Sequence, residues 1–343
     1  MPLFQPSRTI YHIGSHKTGT TSIQNQLRER FAPPKKTPKT AQAVLYPDVG
    51  HPKDKAGNIN ANHNALHYLY RKRNHPAVTE HSAAEITTKI VSSVNELQPD
   101  TLVFSAEDAF FIGDRRPAHR ELAYLDAIIP YPKEFVALLR RPDLYVSSWQ
   151  KQLLWFGTKT NPLHSSIRID RLLSTCLLDY RLALEPFVEH GEVTVMPYGK
   201  GGDSVSWFFE EVLGVDAPKA AHSANPSIPD VMAELARRFT VQQRRLTMPE
   251  MGKLIAFGHQ EKVDMIGPEN RKKIHKQFQE TNSWLVNTLG ANAGFDDLDE
   301  MCEVPNDWLS VDEAIEKYRA AFYEILEIDE PAQFNDKTAE SAG

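Results

Sequence analysis

The stretch Thr9–Gln24, TIYHIGSHKTGTTSIQ, decides how this chain is read. An apolar, β-branched run at Thr9–Ile13 leads into Gly14, and after four intervening residues Gly19-Thr20-Thr21-Ser22 opens a helical pattern. Strand, glycine-bounded loop and helix in that order make a cradle for an anion. Glycines let backbone N–H groups converge, and the helix adds free N–H groups and the positive end of its dipole. The spacing of Gly14 and Gly19 matches the nucleoside-triphosphate loop GxxxxGK[ST], yet Thr20 stands where that loop carries its lysine. The cation has moved inside the loop, to Lys17.

Three further apolar runs read as buried strands: Thr101–Ser105, Phe135–Leu139 and Val193–Met196. Segments with helical spacing, Ala84–Leu97 and Ile169–Val188, lie between them. This alternation predicts an α/β fold, a doubly wound parallel sheet of the P-loop NTPase-like kind. Beyond about Ser223 the strands stop, and Pro229–Arg245, Glu269–Leu289 and Val311–Leu326 read as helices. The expectation is one domain over residues 1–330. Within it, residues 32–83 form an insertion and residues 223–327 a helical C-terminal part; residues 331–343 form a frayed tail.

Composition narrows the function. The 343 residues are 41% apolar and 24% charged, with a net charge of -6, which suits a globular protein and not a dedicated nucleic-acid binder. No run approaches the roughly 20 apolar residues of a membrane span. The opening MPLFQPSRTIYHIG lacks a signal core, and Cys176 and Cys302 cannot build a disulfide framework or a four-ligand zinc site, so a cytoplasmic setting is expected. The insertion carries eight Lys/Arg against three Asp/Glu, and five histidines. It reads either as a site for an anionic or hydroxyl-rich substrate or as a solvated loop. His63 and His67 are four apart, but no third ligand is spaced to join them on a metal.

The second motif is Phe135–Gln150, FVALLRRPDLYVSSWQ. Its strand ends at Arg140-Arg141-Pro142, and Pro142 suits the first position of a helix. A guanidinium at a strand's carboxyl edge offers phosphate a planar donor fork, and ligands of open α/β sheets lie beyond that edge.

His16-Lys17-Thr18-Gly19-Thr20-Thr21-Ser22 resembles the 5′-phosphosulfate loop of sulfotransferases that use 3′-phosphoadenosine 5′-phosphosulfate (PAPS). Arg140, with Ser148 eight residues later, resembles their 3′-phosphate motif. Asn225-Pro226-Ser227 looks like an Asn-x-Ser element of bacterial members. The resemblance spans roughly residues 8 to 290. It implies that Lys17, Thr18, Gly19, Thr20, Thr21, Ser22, Arg140 and Ser148 bind PAPS and its product 3′,5′-ADP. Many cytosolic members have Trp where Ser22 stands, and the Arg-Lys-Gly loop of steroid and phenol enzymes is missing. The resemblance therefore points to the glycan-sulfating branches, with a carbohydrate or glycolipid acceptor.

Sulfuryl transfer needs a group that accepts the acceptor's proton. Glu107, after the Thr101–Ser105 run, is the first choice, with His12 and His16 as rivals. His12 reads as a core histidine, and His16 as a donor to a sulfonate oxygen. Asp108 could be a Walker B carboxylate, but Ser105 and Glu107 interrupt the apolar run that motif needs. The expected mechanism is in-line displacement, with Lys17 and the Thr20–Ser22 region stabilising charge on the bridging oxygen and no metal called for. The alternatives are a P-loop small-molecule kinase and a non-catalytic nucleotide-binding relative.

Overall fold

The computed structural model describes residues 4–33, 43–53, 57–71, 82–115, 117–200, 202–218, 227–258, 261–304 and 306–330. Strands β1 (Arg8–His12), β2 (Val44–Leu45), β3 (Thr101–Ser105), β4 (Glu134–Leu139) and β5 (Val193–Pro197) form one sheet, ordered β2-β3-β1-β4-β5. Every pairing is parallel; Tyr11 lies opposite Phe104 on β3 and Phe135 on β4. Successive residues of β1 serve opposite faces, as a period of two requires. Ile10 joins Val103, Val136 and Leu138 in a cluster closed by Ile23, Leu27, Phe208 and Phe209. Tyr11 packs on Phe104 and Phe135. Both faces are therefore apolar and buried, which explains the continuous apolar runs.

The helices are α1 (Thr20–Phe31), α2 (Ala65–Tyr70), α3 (Ala83–Leu97), α4 (Ala118–Ile128), α5 (Pro142–Trp155), α6 (Ser166–Leu173), α7 (Tyr180–Val188), α8 (Ser204–Trp207), α9 (Asp230–Gln242), α10 (Met248–Ala256), α11 (Pro268–Leu289) and α12 (Val311–Leu326). The chain forms two compact units. The first, Met1–Arg140 with Tyr180–Ala224 and Ser283–Gly294, holds the five-stranded sheet with α1 to α4, α7 and α8. The second, Arg141–Asp179 with Asn225–Asn282 and Phe295–Gly343, holds α5, α6, α9, α10 and α12; α11 divides between the two.

The expected mixed α/β architecture with a parallel central sheet is present, with four corrections. The fifth strand, β2, lies in the expected insertion and is two residues long, too short for periodicity to reveal. Ile169–Val188 is two helices, α6 and α7. The Thr175 hydroxyl donates to the Leu172 carbonyl at 2.8 Å, a local bond that competes with the helical ladder. Strands do not end at Ser223: β6 (Val263–Asp264) and β7 (Leu309–Ser310) pair in parallel in the second unit. There too, α10 arises from a capping box in which Thr247 and Glu250 satisfy each other's backbone N–H. The tail, residues 331–343, lies outside the described residues.

Candidate functional site

After His12 the chain turns through Ile13–Gly19 before α1 begins. The turn is built onto β4: the Ser15 N–H and hydroxyl both donate to the Leu138 carbonyl, at 3.2 and 3.0 Å. The Thr18 hydroxyl donates to the Ser15 carbonyl at 2.6 Å. Lys17 and Gly19 take left-handed backbone, with φ of 69° and 82°. A Cβ on Gly19 would also stand 2.3 Å from Ser204 Oγ. Gly14 plays another part than the wrapping role its spacing suggests. Its φ is not left-handed, but a Cβ there would lie 2.5 Å from His12 Nε2, so the missing side chain makes room for a buried ring. No side chain caps α1; the Ser22 N–H donates to the Gly19 carbonyl at 3.0 Å, and the N–H groups of Thr20 and Thr21 stand at the positive end of the helix, where an anion would be favoured.

Arg140 follows β4 directly. Its Nη1 donates to the Lys17 carbonyl at 3.0 Å, and its guanidinium lies over the Tyr198 ring, 5.3 Å from the centroid. Its own carbonyl accepts from the Tyr180 hydroxyl. The guanidinium of the second motif is thus bonded to the backbone of the first. Arg141 belongs to the second unit, where Asp143, Asp297 and Glu300 engage it at 2.9, 2.9 and 3.1 Å. Ser148 is half-buried on the second turn of α5, also in the second unit. What relates it to Arg140 is the eight-residue spacing in the sequence.

Glu107 opens a short 3₁₀ turn, Glu107–Ile112, after β3. Because β3 and β4 flank β1, Glu107 and Arg140 stand on opposite sides of the loop. The Thr20 hydroxyl donates to Glu107 Oε2 at 2.6 Å. His16 Nδ1 is 3.6 Å from Glu107 Oε1 and Nε2 is 3.5 Å from Asp108 Oδ1, while the ring stacks on Phe111. Burial alone would lower the His16 pKa, but the Asp108 hydrogen bond and the Glu107 and Asp108 charges outweigh it and raise the value above 6.5. Burial likewise opposes the Asp108 charge, yet His16 and Tyr68 hold its carboxyl down at about 2.

These contacts revise several expected roles. Both His16 nitrogens face carboxylates, so the ring orients Glu107 and is poorly disposed to reach a sulfonate oxygen or to act as a base. The Thr18 and Thr20 hydroxyls are engaged within the protein, so those residues offer a ligand their backbone. Thr21 is exposed and Ser22 half-buried, and neither side chain has a hydrogen bond among the described residues. Asp108 is the partner the sequence reading missed. Its adjacency to Glu107 was a signal, but its contact with His16 joins distant segments.

His12 is buried, with Nδ1 2.8 Å from Ser105 Oγ and Nε2 unpartnered among the described residues; burial lowers its pKa to about 3. That fits a neutral core histidine. His63 accepts from the Ser105 N–H at Nδ1 and sits 3.1 Å from the Pro47 carbonyl at Nε2. His67 bridges the Tyr11 hydroxyl and Glu121, at 2.9 and 2.8 Å. The two rings therefore have separate partners. From the basic insertion, Arg71 is paired with Glu121 at 2.9 Å. Lys35, Lys36, Lys39, Lys55, Lys72 and Arg73 lie outside the described residues, as do His75, His81, Asn225 and Pro226. A cleft of about 670 Å³ runs from Glu107 between α1 and residues 59–62.

Comparison with protein-family models, curated proteins and solved structures gave no match to this chain.

Proposed function

We propose that this chain is a PAPS-dependent sulfotransferase on a P-loop NTPase-like sheet, acting on a hydroxyl acceptor. The observation that carries the reading is the hydrogen bond from Arg140 to the Lys17 carbonyl, which fixes a guanidinium to an anion-cradling loop. One donor with a 5′-phosphosulfate and a 3′-phosphate suits that pair. The uncapped start of α1 and Lys17 would hold the 5′ group. Arg140 would take the 3′-phosphate, a role in which the resemblance joins Ser148 to it by sequence spacing alone.

Bound PAPS supplies a sulfuryl group on a good leaving phosphate. The acceptor oxygen attacks sulfur in line as the bond from sulfur to the bridging oxygen breaks. Glu107 takes the acceptor proton, and Lys17 with the first-turn N–H groups of α1 stabilises the negative charge left on the nucleotide. Thr20 and His16 hold the two Glu107 oxygens in place, and Asp108 holds His16. A Mg²⁺-ATP kinase reading lacks its lysine, since Thr20 follows Gly19 and its hydroxyl is engaged by Glu107. Cys176 and Cys302 form no disulfide, which accords with the reducing, cytoplasmic setting expected from the sequence.

The test is an assay with sulfur-labelled PAPS and a panel of hydroxyl acceptors. Transfer of label that falls away in Lys17→Ala supports the reading. Binding of 3′,5′-ADP with no transfer to any acceptor would leave a nucleotide-binding relative instead.

A further inference from the structure

The cleft beside Glu107 lies wholly within the first unit, on the β3 side of the loop and away from Arg140. Its volume suits a small organic ligand, but its chemistry differs from the apolar, aromatic-lined pockets that bind flat or greasy molecules. One wall is a single face of α1, where Thr21, Gln24, Asn25, Arg28 and Glu29 recur at helical spacing. The facing wall contributes Asn60 and Asn62. Among the described residues of the lining, only Ile59 and Ala61 are aliphatic, and no aromatic ring takes part.

The charge balance is equally specific. Arg28 donates to the Ile59 carbonyl at 3.0 Å and pairs with Asp48 at 3.5 Å, so its charge is already compensated. Glu107 is in turn faced by His16 at 3.6 Å, so the exposed Glu29 carries the charge that remains, and it is negative. The Asn25 and Asn60 carboxamides have no hydrogen-bond partner among the described residues, and each is both donor and acceptor, as a sugar hydroxyl is.

We infer that this cleft is the acceptor subsite and that it takes an uncharged, polyhydroxylated, carbohydrate-like acceptor. The inference rests on the sulfuryl-transfer reading for the reaction, but the cleft's selectivity stands on its own lining. It departs from the anionic acceptor that the basic insertion suggests. A carboxylate or sulfate on the acceptor would meet the Glu29 and Glu107 charges at short range. A lipid tail or phenol would find no aromatic ring to pack on and only Ile59 and Ala61 as aliphatic neighbours among the described residues.

The experiment is titration of the full chain, with and without saturating 3′,5′-ADP, against cellobiose and lactose, a glucuronate-bearing disaccharide, and 2-naphthol. At least one neutral disaccharide is expected to bind, the uronate about tenfold more weakly, and naphthol not measurably. Asn25→Ala and Asn60→Ala, both exposed, should weaken the neutral sugar about fivefold or more while 3′,5′-ADP affinity holds. Glu29→Lys should shrink or invert the preference for neutral sugar over uronate. Tighter binding of uronate or naphthol, no binding by either sugar, or variants without effect would overturn the inference. Sugar binding without 3′,5′-ADP binding would keep the cleft and remove the reaction; 3′,5′-ADP binding with rejection of neutral sugars would do the reverse.

Discussion

The Arg140 guanidinium donates to the Lys17 carbonyl across 123 positions of sequence, binding the end of β4 to the loop after β1. Lys17, unlike Gly19, carries a side chain in left-handed backbone there, so Arg140 braces a strained point of the cradle as well as presenting charge. Loss of a charged hydrogen-bond donor costs about 1.5–3 kcal/mol, so Arg140→Ala should weaken 3′,5′-ADP binding by about tenfold to a hundredfold. Arg140→Lys should not restore it, because an ammonium lacks the planar fork. Equal affinity in parent and Arg140→Ala would remove Arg140 from the nucleotide site.

Lys17→Ala leaves the backbone requirement unchanged, since alanine meets the same difficulty at positive φ. It therefore isolates the ammonium. Turnover should fall by ~10²-fold or more with a smaller change in PAPS binding, the pattern of a lost transition-state donor. Single-turnover transfer of labelled sulfuryl group checks it, and an unchanged rate would place the leaving-group charge elsewhere.

Glu107→Gln keeps an oxygen for the Thr20 hydroxyl and removes the proton acceptor. The rate should drop about 10²- to 10⁴-fold with the 3′,5′-ADP affinity intact. Thr20→Val keeps the carboxylate and loses its positioning bond, so a smaller loss of rate is expected. If both variants were equally impaired and Glu107→Gln also lost nucleotide, Glu107 would be a binding residue and not the base.

His16 and Asp108 give the fold a pH signature. The raised His16 pKa means that its interactions stabilise the protein fully below about 6.5 and lose effect as pH rises through the higher folded value. Asp108 acts the other way: its contribution is present above about 3.8 and is lost as pH falls through about 2. Urea unfolding of parent and His16→Gln should therefore differ most near pH 5 to 6 and converge on the alkaline side. A gap that widened with rising pH would contradict the ion pairing.

Gly19 combines a φ of 82° with a Cβ position 2.3 Å from Ser204 Oγ. Gly19→Ala should cost about 1–3 kcal/mol in stability from backbone strain alone. Adding Ser204→Ala should recover part of that loss by removing the clash but not the strain, as thermal unfolding of the single and double variants would show.

The strand–loop–helix of Thr9–Gln24 is legible in sequence because its signals are local: an apolar run, two glycines and helical spacing. The strand end at Arg140 is legible for the same reason. The edge strand β2 is not, because Val44–Leu45 gains its identity by pairing with β3, a contact no two-residue window encodes. Nor is the His16–Asp108 pair, which arises only when β1 and β3 lie side by side. Gly14 shows a subtler gap: the spacing singles it out, but the reason for glycine there is the ring of His12 two residues earlier. The cleft between α1 and residues 59–62 likewise follows from tertiary packing, although the polar side chains that line it are plain in the sequence.

One nucleotide bearing 5′ and 3′ anions and held by both clamps is the central requirement of the proposed function, and calorimetric titration of the parent chain reads it directly. The 3′,5′-ADP is expected to bind at least about tenfold more tightly than 5′-ADP with Mg²⁺, with the difference abolished in Arg140→Ala. Tighter binding of Mg²⁺-ADP, or no heat with 3′,5′-ADP, would contradict it.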